Sequence, residues 1–203
     1  LAFLLLGNLT AYKDAPAAAS AFLSQTRHAC LAVAGDCPDP RAARALERAA
    51  AACGGRILLH PHRVDPDQAG HLYAAAHAAV CPYRTDGRYT FLADIFYPGS
   101  VGTAAGFGVP VIAPALAAVE EITDGQPRWL ARPGSPGALG DAMAAAENAL
   151  LELAAGGDPR DHRTTATGPA RWQQTAATYN QAARWLARQP GSSAPQGEDD
   201  RSA

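Results

Sequence analysis

Short apolar runs alternate along the chain with longer Ala-rich stretches whose hydrophobic positions recur at three and four residues, the pattern of repeated βα units around a parallel sheet. Strands are predicted at Leu1–Leu6, Cys30–Ala34, Arg56–His60, Ala78–Cys81, Pro110–Ala113 and Trp129–Ala131. Helices are predicted between them at Ala15–Thr26, Arg41–Cys53, Pro66–Ala76, Ser100–Phe107 and Ala117–Thr123, with a longer one over Pro136–Ala154. Leu46 with Ala50, and Leu72 with Ala76, are i, i+4 pairs sharing one helix face. A polar connection over 156–170 leads to a last amphipathic helix, Arg171 to about Arg188, on which Trp172, Ala176, Tyr179, Ala183 and Leu186 hold helical spacing. Residues 189–203 are Pro/Ser/Gly-rich and acidic, a composition expected to be disordered. The result is one α/β domain over residues 1–188, a doubly wound parallel sheet of about six strands with helices on both faces.

In such a sheet, ligands bind outside the carboxyl ends of the strands, so only the loops that come after strands are candidates. That rule selects Gly7–Asp14, Gly35–Pro40, Pro61–Asp65, Pro82–Gly99 and Pro114–Ala118. The fourth is far longer than an ordinary βα loop of roughly 2–6 residues. It ends in Pro98-Gly99, which breaks the backbone, and Ser100, whose side chain suits a helix N-cap. A helix start presents unpaired N–H groups and partial positive charge, which suits a phosphate. Gly102 and Gly106 each cost about 1 kcal/mol relative to Ala inside a helix. Two readings account for them: close packing of the helix on the sheet, or room for an anion.

Lys13 lies in the loop after the first strand and is the single lysine of the chain; the other basic residues counted with it are arginines. One reading is a solvated lysine at a helix start. The other is a flexible ammonium placed to meet a diphosphate as a point charge.

Composition narrows the partners. With 17 Lys+Arg against 19 Asp+Glu, the net charge of −2 offers no basic footprint for nucleic acid or for an anionic membrane. The apolar opening Leu1–Leu6 is far short of the ~20 residues a membrane span needs. Cys30, Cys37, Cys53 and Cys81 have no Cys-x-x-Cys spacing and are expected to be reduced, in a cytoplasmic protein. His60, His62, His71 and His77 have no Cys or carboxylate at ligand spacing, so no metal site is expected. The chain begins with Leu at a strand, which leads us to expect that another segment precedes it.

The ordered run of motifs resembles a known family. Gly7-x-Leu9-x-x-Tyr12-Lys13 after an apolar strand is followed by Leu31-Ala-Val-Ala-Gly35. Next come Leu72-Tyr-Ala-Ala-Ala before a strand ending Cys81-Pro82-Tyr83, then Gly99-Ser-Val and Phe107-Gly-Val-Pro-Val-Ile-Ala-Pro114. Together these resemble the carboxyl-terminal, Rossmann-like domain of GT-B glycosyltransferases of the glycogen-synthase-like family 4 (group 1) type. The resemblance runs to about Leu186, and Arg171-Trp172 with Tyr179 is similar to the family's Trp-bearing terminal helix. It implies that this domain holds a nucleoside-diphosphate sugar, with no cofactor, while an amino-terminal domain absent from this chain binds the acceptor. Carried over by position, Lys13 meets the diphosphate and Gly7 permits its close approach. The helix start at Gly99, Ser100, Val101, Gly102 and Thr103 faces phosphate or sugar. Arg63 borders the nucleotide base, and Glu120, with Glu121 beside it, stands where the family has a glutamate after its sugar-facing loop. A surface arginine and a helix-surface carboxylate are the plainer readings of Arg63 and Glu120.

The chain also departs from the family. Of the two glutamates it usually carries seven residues apart, the second position reads Thr103 and the first falls in a segment, Ile95–Ser100, without glutamate. Pro98-Gly99-Ser100 resembles a Ser-Gly-Ser variant of the wider family. Asp14 replaces the glycine after the lysine, placing a carboxylate near the expected phosphate, and Asn8 replaces a frequent arginine. The expected function is transfer of a sugar from the nucleotide donor, with the leaving diphosphate stabilised electrostatically and without metal. Two alternatives stand beside it: a non-catalytic nucleotide-sugar-binding or interaction module that has lost the glutamate pair, and a nucleotide-sugar epimerase of the same architecture. No catalytic residue is assigned.

Overall fold

The computed structural model of the protein describes residues 1–92, 97–163 and 184. The chain divides into two units, Leu1–Ala166 and Thr167–Ala203, and the sheet and its crevice belong to the first. The expected terminal helix and acidic tail lie outside the described residues, apart from Arg184, which is helical and exposed.

Among the described residues, six strands form one all-parallel sheet: β1 (Ala2–Leu6), β2 (Cys30–Ala34), β3 (Ile57–His60), β4 (Ala78–Val80), β5 (Val111–Pro114) and β6 (Arg128–Ala131). Their order is β3-β2-β1-β4-β5-β6. The main helices are α1 (Ala15–Gln25), α2 (Pro40–Ala52), α3 (Pro66–Ala75), α4 (Gly99–Gly106), α5 (Ala117–Ile122) and α6 (Ala138–Ala154). These bounds agree with the sequence pattern to within about two residues. The largest difference is at α6, which starts at Ala138 rather than at Pro136 because Gly137 adopts φ +79, outside the helical range. β5 begins at Val111 rather than at Pro110, because a proline has no N–H for the ladder; its carbonyl instead accepts from Ala79 N at 2.8 Å.

Side-chain alternation in the strands divides the core into two layers. Phe3, Leu5, Leu31, Val33 and Ile112 face one side and pack with α1, α2 and α6 through Phe22, Leu46 and Met143. Leu4, Ala79, Cys81 and Val111 face the other side and pack with α3, α4 and α5 through Tyr73, Val101 and Val119. Phe22 is fully buried, meets Phe3 edge-on at 6.1 Å and carries the Arg56 guanidinium 4.9 Å above its ring. Burying such a side chain contributes about 2–3 kcal/mol.

Glu147, on α6 and 3 % exposed, accepts from the N–H groups of Arg27 (2.8 Å), His28 (2.7 Å) and Ala29 (2.6 Å), tying α6 to the turn between α1 and β2. Burial acts to raise its pKa, but the three amides together with His28 outweigh that and hold the carboxyl below its usual range. No helix among the described residues is long and apolar enough to cross a membrane.

Candidate functional site

The direction of sheet growth reverses between β1 and β4, and the loops leaving these two central strands diverge and open a crevice at their carboxyl ends. A cavity of about 670 Å³ lies there, within the range of roughly 300–1,000 Å³ typical of small-molecule sites.

Two glycines allow the loops to meet. Gly7 follows β1 with φ +120 and Gly35 follows β2 with φ +133, a region that favours glycine. A Cβ on Gly35 would lie 2.0 Å from the Gly7 carbonyl oxygen, and one on Gly7 would lie 2.9 Å from Lys13 Nζ. The loops are then tied together by backbone bonds: Gly7 N–H donates to Ala34 O at 3.0 Å, and Leu9 N–H to Asp36 O at 2.7 Å.

Lys13 is only 6 % exposed. Its ammonium donates to Ser100 Oγ at 2.9 Å, and among the described residues no carboxylate stands within ion-pair distance of it. Burial lowers its pKa from the ordinary 10.5, opposed by the nearby Cys81 sulfur. That sulfur carries no counter-charge at neutral pH, since burial pushes the thiol up to about 12. Burial likewise raises the Tyr83 phenol, which also faces the cavity, well above its ordinary value. A buried cation surrounded by neutral groups is costly, and a bound anion relieves that cost.

The start of α4 completes the arrangement. The helix begins behind Pro98 with no side-chain cap, so Ser100 is not the N-cap its chemistry suggests; it lies in the first turn, where its hydroxyl accepts from Lys13. Val101 N–H and Gly102 N–H both donate to Pro98 O, at 3.0 and 3.1 Å. The amides left without a partner among the described residues are therefore those of Gly99 and Ser100. Two N–H groups and an ammonium at one helix start are an arrangement suited to an anion.

Of the residues singled out from sequence, Gly7, Lys13, Arg63, Gly99, Ser100 and Thr103 line this cavity. Val101, Gly102 and Glu120 do not. Helical geometry is the reason within α4: Ser100 and Thr103, three apart, share the cavity side, while Val101 is turned fully into the core. A Cβ on Gly102 or on Gly106 would meet no described atom within 4 Å, so close packing does not account for these glycines. Glu120 is exposed on α5, and its backbone carbonyl accepts from Arg128.

Asp14 occupies a left-handed conformation, φ +39 and ψ 52, which is the local reason a glycine suits this position. Its carboxylate accepts from Ala17 N–H at 3.4 Å as the cap of α1, and it lines a second cavity of about 300 Å³ rather than the larger one. Sequence reasoning missed Asp36, Tyr12 and Tyr97, which also line the larger cavity. Tyr12 stacks on Tyr83 at 6.2 Å, a pairing between distant loops that leaves no local signal. Asp36 was within reach, since it lies in a loop after a strand. Among the described residues no three His, Cys, Asp or Glu side chains are grouped to hold a metal ion.

This architecture is similar to that of solved glycosyltransferases. AviGT4, a glycosyltransferase involved in avilamycin A biosynthesis, matches with a TM-score of 0.53 and 18% identity over 93% of this chain and 52% of its own. The C-terminal domain of a group 1 family glycosyl transferase, LpcC, from Francisella tularensis matches with a TM-score of 0.54 and 16% identity, over 78% of this chain and 77% of that one. Anabaena Alr3699/HepE, solved in complex with UDP, matches with a TM-score of 0.52 and 16% identity over 89% of this chain and 48% of its own. The chain thus spans about half the length of AviGT4 and of HepE. No curated protein matches its sequence. Residues 2–148 match the family described as Glycosyl transferases group 1. With that match across the whole sheet and the GT-B Rossmann-like architecture around it, the chain belongs to the group 1 glycosyltransferases.

Proposed function

We propose that this chain is the donor-binding half of a glycosyltransferase that moves a hexosyl group from a nucleoside-diphosphate sugar to an acceptor held by a second domain. The observation that carries the reading is Lys13, a buried ammonium paired among the described residues only with a hydroxyl and facing the open crevice at the switch point. The diphosphate sits between Lys13 Nζ and the Gly99 and Ser100 amides. As the sugar–phosphate bond breaks, charge grows on the leaving diphosphate, and these fixed donors stabilise it without a metal ion. Arg63, on the β3 side of the cavity, borders the base. The UDP held by HepE and the coverage of about half of that protein support a nucleotide donor and a two-half enzyme. The four free thiols suit a reducing, cytoplasmic compartment.

Titration of UDP and GDP against the wild type and Lys13→Ala, with uridine and guanosine as controls, tests the reading. Losing a charge-assisted bond of about 2 kcal/mol weakens diphosphate binding roughly 30-fold while nucleoside binding stays the same. Equal loss for both, or for neither, contradicts it. Thr103 in place of the family's second glutamate favours one other reading, a module that binds the nucleotide sugar without turning it over. Sugar transfer, or slow hydrolysis of the donor, by the chain joined to an acceptor domain rules that out; the epimerase alternative draws no support from the family match.

A further inference from the structure

Asp36 is the one carboxylate among the described residues lining the large cavity. Its backbone is fixed from both sides. Leu9 N–H donates to its carbonyl at 2.7 Å, and the preceding Gly35 packs so tightly on Gly7 that a Cβ would reach within 2.0 Å of the Gly7 oxygen. The acidic residue of the cavity wall therefore belongs to a loop tied closely to the one after β1.

The strand order gives that carboxylate a definite place. Lys13 and Ser100 stand at the β1/β4 boundary, Asp36 follows β2, and Arg63 follows β3. Neighbouring strands lie about 4.8 Å apart, so the three groups succeed one another across the carboxyl ends as phosphate site, carboxylate and outer arginine. A nucleoside diphosphate has the same succession of diphosphate, ribose and base. In doubly wound folds that bind dinucleotides, an acidic residue after the second strand accepts from ribose hydroxyls, because an ionised carboxylate offers two acceptor oxygens to a vicinal diol.

The competing position is occupied otherwise. Thr103, which lines the same cavity from α4 at the family's second glutamate position, donates its hydroxyl to Gly99 O at 2.9 Å and brings no charge. We infer that Asp36 accepts hydrogen bonds from the ribose hydroxyls of the donor, so that ribose recognition in this chain comes from the loop after β2 rather than from α4. This rests on the nucleotide-donor reading given above.

The test is calorimetric titration of the full chain with UDP and GDP and with their 2′-deoxy counterparts. The wild type is expected to prefer the ribose forms about tenfold, the worth of one bond to a charged acceptor. Asp36→Ala, at an exposed side chain, is expected to lose that tenfold and bind ribose and deoxyribose forms alike, and Asp36→Asn to lose part of it. Thr103→Ala is expected to keep the preference. The inference is overturned if Asp36→Ala retains the preference, if it weakens both forms equally, if Thr103→Ala abolishes the preference, or if the wild type has none. If the wild type binds no nucleotide at all, the donor reading falls as well, so the two failures are distinguishable.

Discussion

Glu147 and Lys13 are both buried and ionisable, yet their surroundings differ. Glu147 sits between α6 and the α1–β2 turn with three backbone amides directed at its carboxylate, while Lys13 sits at the carboxyl edge of the sheet with one neutral hydroxyl. The protein meets the electrostatic needs of the first from its own backbone and, among the described residues, leaves those of the second unmet. A buried charge that serves only the fold tends to be satisfied, because each unsatisfied group costs stability. One left under-satisfied beside an open cavity marks the place where something else completes it. The glycines divide in the same way: Gly140, where α6 crosses α1, would place a Cβ 2.7 Å from Gln25 Cγ, whereas one on Gly99 or Gly102 would meet no described atom within 4 Å.

The contrast breaks most visibly at Glu147. Glu147→Ala strands three amides and is expected to cost about 3 kcal/mol of stability in urea unfolding, with nucleotide affinity of the folded protein unchanged. Because its folded-state pKa is depressed below 4.5, the stability Glu147 contributes is present above that value and lost as pH falls through the folded-state pKa. Glu147→Gln should lack this acid dependence. A smaller effect of opposite sign is expected at Lys13. Lys13→Met removes a desolvated cation and should raise the unfolding free energy by about 1–2 kcal/mol even as diphosphate binding is lost. A drop in stability would mean that the ammonium is satisfied within the fold.

Gly102→Ala should stabilise the protein by about 1 kcal/mol, since the helix gains propensity and the new methyl meets no described atom. Thermal unfolding measures this, and destabilisation would reveal a packing role. Alkaline pH tests the same ammonium without a substitution. Of the two protonation states of Lys13 only the ammonium attracts a diphosphate, so the affinity it adds is present below its folded-state pKa and falls away as pH rises through it, at a pH below 10.5 because burial lowers that pKa. Titrations across this range should show the loss in the wild type and not in Lys13→Ala.

Much of the framework is legible in the sequence, because each strand and helix carries its own period and the turns between them their own breakers. The structure caps α1 and α2 with the side chains of Asp14 and Asp39, each standing just ahead of a proline. The carboxyl-end rule then reduces the site to a few loops, and the single lysine stands out within them. Sequence does not supply how residues approach across the sheet. Ser100 has the local chemistry of an N-cap, but a lysine 87 positions away takes its hydroxyl. Grouping consecutive residues of α4 as one site fails because a helix turns neighbours such as Val101 to another side. Glu147 lies in an Ala-rich helix and looks like a surface residue until the α1–β2 turn is seen above it.

A diphosphate bound between Lys13 and the first turn of α4 underlies the whole donor reading, and a crystal structure with UDP or GDP bound is its most direct test. The predicted result has phosphate oxygens about 2.8 Å from Lys13 Nζ and within hydrogen-bond reach of the Gly99 and Ser100 amides. A nucleotide bound elsewhere, with the Lys13–Ser100 contact intact and no phosphate beside it, would contradict that placement.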